Sequence, residues 1–172
     1  TARAVVDELP QVRFVLLGRG NELDTRTLVT EPVAARRLQE HVILPGYQKG
    51  TDYEAALRAL DVFLFLVPGS DGTCRAVCDA MAFGVPVVCT RAGILPELVA
   101  TRRPGEVPGF AVGDTPAALA VALLALLRDE GLRRRAGAAA LRRATLDMDP
   151  QRAAQRTAAL YTYNPKERKL AS

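Results

Sequence analysis

An α/β fold with a parallel sheet flanked by helices is predicted for this 172-residue chain, on three observations. Short apolar runs alternate with segments of helical periodicity, the pattern of strands joined by crossover helices. The run Val62 to Val67 is apolar throughout, as in a strand covered on both faces. Helix-start signals follow the strands, most clearly Thr115 followed by Pro116 after the last of them. The length suits one domain with a sizeable core, spanning 1–172.

Thr1 to Leu9 reads as the end of a helix entered partway, so the expected context is a longer protein. Val12 to Leu17 is a buried strand ending in the turn Gly18-Arg19-Gly20. A helix is expected over Glu31 to Glu40 with Pro32 in its first turn, then a strand from His41 to Leu44, stopped by Pro45-Gly46. Thr51 and Glu54 have the spacing of a capping box opening a helix that runs to Leu60. Val62 to Val67 then occupies the sheet centre. A loop, a helix from Thr73 to Phe83 ended by Gly84, and a strand from Val85 to Cys89 follow. A helical turn starts at Pro96, and a last strand covers Gly109 to Val112. Helices close the chain at Pro116 to Arg128, Glu130 to Ala144 and Pro150 to Tyr163, before a frayed tail at 164–172.

Composition narrows the function. No apolar run is long enough to span a bilayer, and no secretory signal is seen, so a cytoplasmic protein is expected. The three cysteines and one histidine lack metal-ligand spacing, so no metal is expected and the thiols read as structural. The net charge of +4 is mild, with few aromatics and no nucleic-acid motif, which argues against a nucleic-acid partner. Arg133, Arg134, Arg135, Arg142 and Arg143 concentrate positive charge late in the chain. They read as a solvated helix face, or else as a surface for peripheral contact with anionic membrane at its inner face.

The chemistry concentrates after the strand at Val62. Asp71 lies in a loop before a helix, and Asp79 lies eight positions later on that helix. Ligands of parallel α/β sheets gather at the carboxyl ends of strands. There the amides of Gly72, Thr73 and Cys74 and the helix dipole favour a phosphate, with Arg75 in the first turn. The stretch Asp71–Asp79, Ala80-Met81-Ala82, Gly84, Pro86-Val87 and Pro96-Glu97 resembles the donor-site motif of glycosyltransferase family 4. That motif has two glutamates with seven residues between them, then Ala-Met-Ala, a glycine, Pro-Val and Pro-Glu. Gly18-Arg19-Gly20 and Gly46-Tyr47 fit its flanking turns, and the resemblance covers nearly the whole chain.

The resemblance implies the Rossmann-like C-terminal domain of a GT-B fold. It implies transfer of a sugar from a nucleotide diphosphate sugar to an acceptor hydroxyl, retaining and metal-independent, with polysaccharide assembly as the usual setting. The nucleotide sugar is a substrate, and no cofactor is implied. Asp71 corresponds to the acid beside the transferred sugar and Asp79 to the one that accepts the ribose hydroxyls. Gly72, Thr73, Cys74 and Arg75 would hold the sugar or diphosphate. Gly46 and Tyr47 would lie beside the nucleobase, and Gly18 and Arg19 beside the donor. An N-terminal domain holding the acceptor would lie outside this chain, which alone would be inactive.

The sequence also departs from the family pattern. Both glutamates are aspartates, the loop before Asp71 is one residue tighter, and Ile94 replaces a glycine. The family's front strand carries an arginine and a lysine for the diphosphate, and these would precede Thr1. Lys49 falls elsewhere. The alternatives are a non-catalytic nucleotide-sugar-binding module and another GT-B enzyme such as a sugar-nucleotide epimerase. The epimerase needs catalytic acids and a histidine that this sequence does not place. A flavodoxin-like signalling domain is disfavoured because Asp61 precedes its strand.

Overall fold

The computed structural model describes residues 1–66, 74–100 and 103–162. Asp71, Gly72, Thr73, Val67 and the tail at 164–172 lie outside the described residues. The order is α1 (Ala2–Glu8), β1 (Phe14–Leu17), α2 (Glu22–Thr25), a π-helical turn (Arg26–Thr30), α3 (Glu31–Ala35) and β2 (Val42–Gly46). Next come α4 (Gly50–Arg58), β3 (Phe63–Phe65), α5 (Arg75–Ala82), β4 (Val87–Thr90) and α6 (Leu95–Leu98). The order closes with β5 (Gly109–Val112), α7 (Pro116–Arg128), α8 (Glu130–Asp147) and α9 (Pro150–Thr162).

Every strand pairing is parallel, in two groups: β1 with β2, and β3-β4-β5 in that order. Alternation along the strands sorts side chains into two layers. Val12, Phe14, Val62, Leu64, Val88, Phe110 and Val112 meet α1 and α7 through Val5, Leu119 and Leu123. On the other face Phe63, Phe65, Val87, Cys89 and Ala111 meet α5, α6 and α8. Helices therefore cover both faces, as expected of an α/β fold. β1 and β3 border the same apolar cluster, yet among the described residues no ladder joins them.

Two close approaches set the packing. A Cβ on Gly109 would lie 2.2 Å from the Val87 carbonyl oxygen, so the β4–β5 pairing requires glycine there. A Cβ on Gly137 would lie 2.3 Å from the Gly84 oxygen, so α8 rests directly on the turn that ends α5.

Several expectations are corrected. The helix expected from Glu31 starts there as α3, but it ends at Ala35 rather than Glu40, and α2, where the Asn21 side chain accepts from the Asp24 amide, and the π-helical turn lead straight into it. Pro32 lies in the first turn of α3 as expected, and it has no N–H to give the preceding turn. Pro45-Gly46 does not stop β2. The strand lies at an edge, where a missing donor is tolerated, and Leu17 pairs with Gly46 after a register shift. Thr51 and Glu54 form no capping box: α4 starts at Gly50, so Thr51 is already inside the helix, and the N-cap is Lys49 with no side-chain bond. β3 is an edge strand of its ladder, and the centre is β4, whose residues are all buried. Thr115 does cap α7, accepting from the Ala118 amide.

The late arginines are not one solvated face. Arg143 is buried at 4% exposure and donates to the carbonyls of Leu98 and Glu97, clamping the end of α6. Arg133 reaches the Leu126 and Leu127 carbonyls and Asp61, while Arg142 pairs with Glu106 and Arg134 with Glu130. No described helix is long and apolar enough to cross a membrane.

Candidate donor site

α5 buries Val77, Ala80 and Met81, and this leaves Arg75 and Asp79 one turn apart on its other side. Arg75 is exposed and Asp79 half-buried. The helix starts later than the sequence suggests. Cys74 is its N-cap, buried and making no side-chain cap bond, so the first-turn amides are those of Arg75 and Ala76.

Asp79 is met by a residue the sequence reading did not single out. The Tyr53 hydroxyl donates to Asp79 Oδ2 at 3.2 Å. Tyr53 lies in the first turn of α4, and its ring packs with Leu60, Phe63 and Phe83 against the buried cluster of Leu57, Ala80 and Val85. Burial, then the neighbouring Asp79 charge and hydrogen bond, push the hydroxyl up to about 12. Tyr53 is therefore a neutral donor at ordinary pH.

The Tyr53 amide reaches the Lys49 carbonyl at 3.4 Å, which ties Asp79 to the loop leaving β2. Gly46 turns that loop with φ +76, and its carbonyl accepts from the Gly18 amide at 3.2 Å. Arg19 lies 4.0 Å over the Tyr47 ring and Lys49 lies 5.5 Å from it, so two cations sit at the ends of β1 and β2. A Cβ on Gly18 or Gly46 would meet nothing within 4 Å, so the space beside both is open. The structure thus brings Gly18, Arg19, Gly46 and Tyr47 together and links them to Asp79 through Tyr53. Arg75 and Cys74 share α5 with Asp79. Asp71, Gly72 and Thr73, the remaining predicted residues, lie outside the described residues.

Other features are structural. Cys74, Cys78 and Cys89 are free thiols, and no cluster able to hold a metal ion occurs among the described residues. His41 Nδ1 lies 3.1 Å from the Val12 carbonyl, pinning the entrance to β1. A shallow cavity lined by Asp61, Gly84, Pro86 and Arg133 opens at the opposite, N-terminal ends of β3 and β4.

The sequence profile described as Glycosyl transferases group 1 matches residues 1–129. The chain belongs to this family. It is 35% identical over 142 residues to the phosphatidyl-myo-inositol mannosyltransferase of Mycobacterium leprae, covering 81% of this chain and 36% of that protein. It is 36% identical over 99 residues to the putative colanic acid biosynthesis glycosyltransferase WcaL of Escherichia coli, covering 54% of this chain and 23% of that protein. The chain thus spans about a third or less of these relatives.

Among solved structures, Anabaena HepE in complex with UDP and glucose aligns with a TM-score of 0.76 at 22% identity, over 92% of this chain and 44% of that one. Sucrose-phosphate synthase from Thermosynechococcus elongatus aligns at 0.74 and 24% identity, over 99% of this chain and 42% of that one. The C-terminal domain of the group 1 glycosyltransferase LpcC from Francisella tularensis aligns at 0.68 and 21% identity, over 87% and 76% of the two chains. The fold is that of a GT-B glycosyltransferase domain, as the sequence resemblance implied.

Proposed function

We propose that this chain is the donor-binding half of a retaining glycosyltransferase that moves a sugar from a nucleotide diphosphate sugar to an acceptor hydroxyl. The observation that carries the reading is the linkage of Asp79, through Tyr53 and the loop after β2, to the open ends of β1 and β2. A carboxylate there suits a ribose diol, because its two oxygens can accept from two hydroxyls. The UDP and glucose of the HepE complex are consistent with this ligand class for the shared fold.

In the transfer, the bond from the anomeric carbon to the diphosphate breaks and a bond to the acceptor oxygen forms. Negative charge develops on the departing diphosphate. The α5 amides, Arg75 and Arg19 oppose that charge without a metal. The role beside the transferred sugar is assigned to Asp71 on the family resemblance alone. The acceptor is held by a domain outside this chain, and a strand from outside it sits between β1 and β3. The separate β2-β1 and β3-β4-β5 ladders support this, since together they read as the order 3-2-1-4-5-6 less its first strand. Anionic membrane remains a proposed site of action, set by the acceptor rather than by the largely paired arginines of α8. A thermal-shift screen of UDP-, GDP- and ADP-sugars on the full-length protein tests the reading. One nucleotide class should raise Tm, and no shift with any of them would contradict it.

A further inference from the structure

We propose that Tyr53 is the positioning residue of the donor site: it holds Oδ2 of Asp79 and thereby turns Oδ1 toward the ribose. The inference rests on the reading of Asp79 as the ribose acceptor. Its basis is the geometry of two helices. Asp79 projects from α5 on a side chain one methylene shorter than glutamate. Tyr53 approaches from α4 with its ring wedged against Leu57, Ala80 and Val85. The ring is thus fixed by packing, and its hydroxyl ends 3.2 Å from the carboxylate.

A carboxylate on two short rotatable bonds otherwise samples several orientations, and ordering it on binding costs entropy. One fixed donor on Oδ2 removes most of that freedom before the ligand arrives, and lone pairs remain for hydroxyl donors. The same tether runs through the Tyr53 amide to the Lys49 carbonyl, and so fixes Asp79 relative to Gly46 and Tyr47. The ribose and base contacts are then held in one frame. Among the described residues Tyr53 is the hydrogen-bond partner of Asp79.

A glutamate at 79 reaches further and needs no tether to meet the diol. Tyr53→Phe should therefore weaken binding in the native background and matter little beside Asp79→Glu.

The experiment is titration calorimetry on the full-length protein with UDP, GDP and ADP, each against its 2′,3′-dideoxy counterpart. Circular dichroism and Tm confirm that each variant folds. Y53F should raise Kd for the ribonucleotide about five- to tenfold, the scale of an ordinary hydrogen bond, with little change for the dideoxy form. In D79E the same Y53F change should cost less than twofold. An equal loss for ribo and dideoxy forms, an unchanged Kd, or a full loss in the D79E background would each overturn the proposal. D79N separates this from failure of the underlying reading. If D79N leaves the preference for the ribonucleotide intact, Asp79 does not bind ribose and both ideas fall. If D79N abolishes that preference and Y53F does not touch it, only the role of Tyr53 falls.

Discussion

Gly137→Ala is the most direct test of how α8 is seated on the turn that ends α5. Two effects of the change oppose each other. Within a helix, alanine is favoured over glycine by about 1 kcal/mol. Against this, the new methyl would sit 2.3 Å from the Gly84 carbonyl oxygen and 3.4 Å from its carbon, with Pro86 Cδ at 3.6 Å. Relief needs a shift of about 1 Å, and the obstacle is backbone at a turn whose Gly84 holds φ +74, not the end of a flexible side chain. Overpacking of this kind costs about 1–3 kcal/mol, and the rigid obstacle places it at the upper end. The net expectation is a loss of about 1–2 kcal/mol, or about 4 °C in Tm for a chain of this size. Urea unfolding followed by circular dichroism measures it, with an unchanged m-value. Gly131→Ala is the control in the same helix. Its new methyl meets only the ends of Arg135 and Asp129, each at 3.2 Å, and it should be neutral or slightly stabilising. If Gly137→Ala were as stable as Gly131→Ala, the close seating of α8 on Gly84 would be wrong.

Arg143→Leu should destabilise by about 3 kcal/mol in the same assay. It strands the Leu98 and Glu97 carbonyls and removes the Arg143 guanidinium from Asp147, while Arg103 stays at 3.3 Å. Tyr53 has a folded pKa above its unfolded value, so its contribution is full below about pH 10 and falls away as pH rises toward about 12. Ultraviolet titration of the four tyrosines should show a late phase that Y53F deletes, and a titration with no late phase would contradict the burial of Tyr53 beside Asp79. Burial pushes Cys89 up to about 11 and, with the Asp79 charge, raises Cys78. Cys74 and Cys89 are buried and the Cys78 and Cys89 thiols are pushed up, so a disulfide reagent should titrate the three thiols rapidly only after denaturation. Rapid reaction of Cys89 in the native protein would contradict its burial.

The parts of the fold set by local signals were legible in the sequence. Thr115-Pro116 marked the start of α7, Gly84 the end of α5, and the run from Gly109 to Val112 coincided with β5. Misreadings arose where a local pattern had two meanings. Thr51 and Glu54 have capping-box spacing, but the same spacing occurs within a helix once the start moves to Gly50. Pro32 does mark the first turn of α3, but the helical turns that run into it from the Asn21 cap carry no equally strong local signal. Arg143 has the same side chain as its exposed neighbours, and only the docking of α6 reveals that it is buried. Within the candidate site, the Asp79 motif and the glycine turns could be found by spacing. The bond from Tyr53 to Asp79 spans 26 positions and depends on how α4 packs against α5, which no local pattern encodes.

The central claim is that Asp79 receives the ribose of a nucleotide diphosphate sugar at the ends of β1 and β2. The measurement that tests it most directly is a thermodynamic cycle on the full-length protein, crossing Asp79→Asn with removal of the two ribose hydroxyls from the nucleotide. Each change alone should weaken binding by about 1–3 kcal/mol, the scale of hydrogen bonds to a charged group. Together they should cost little more than either one, because both delete the same contact. Fully additive losses, or an Asp79→Asn variant that binds the ribonucleotide as tightly as the native protein, would contradict the account.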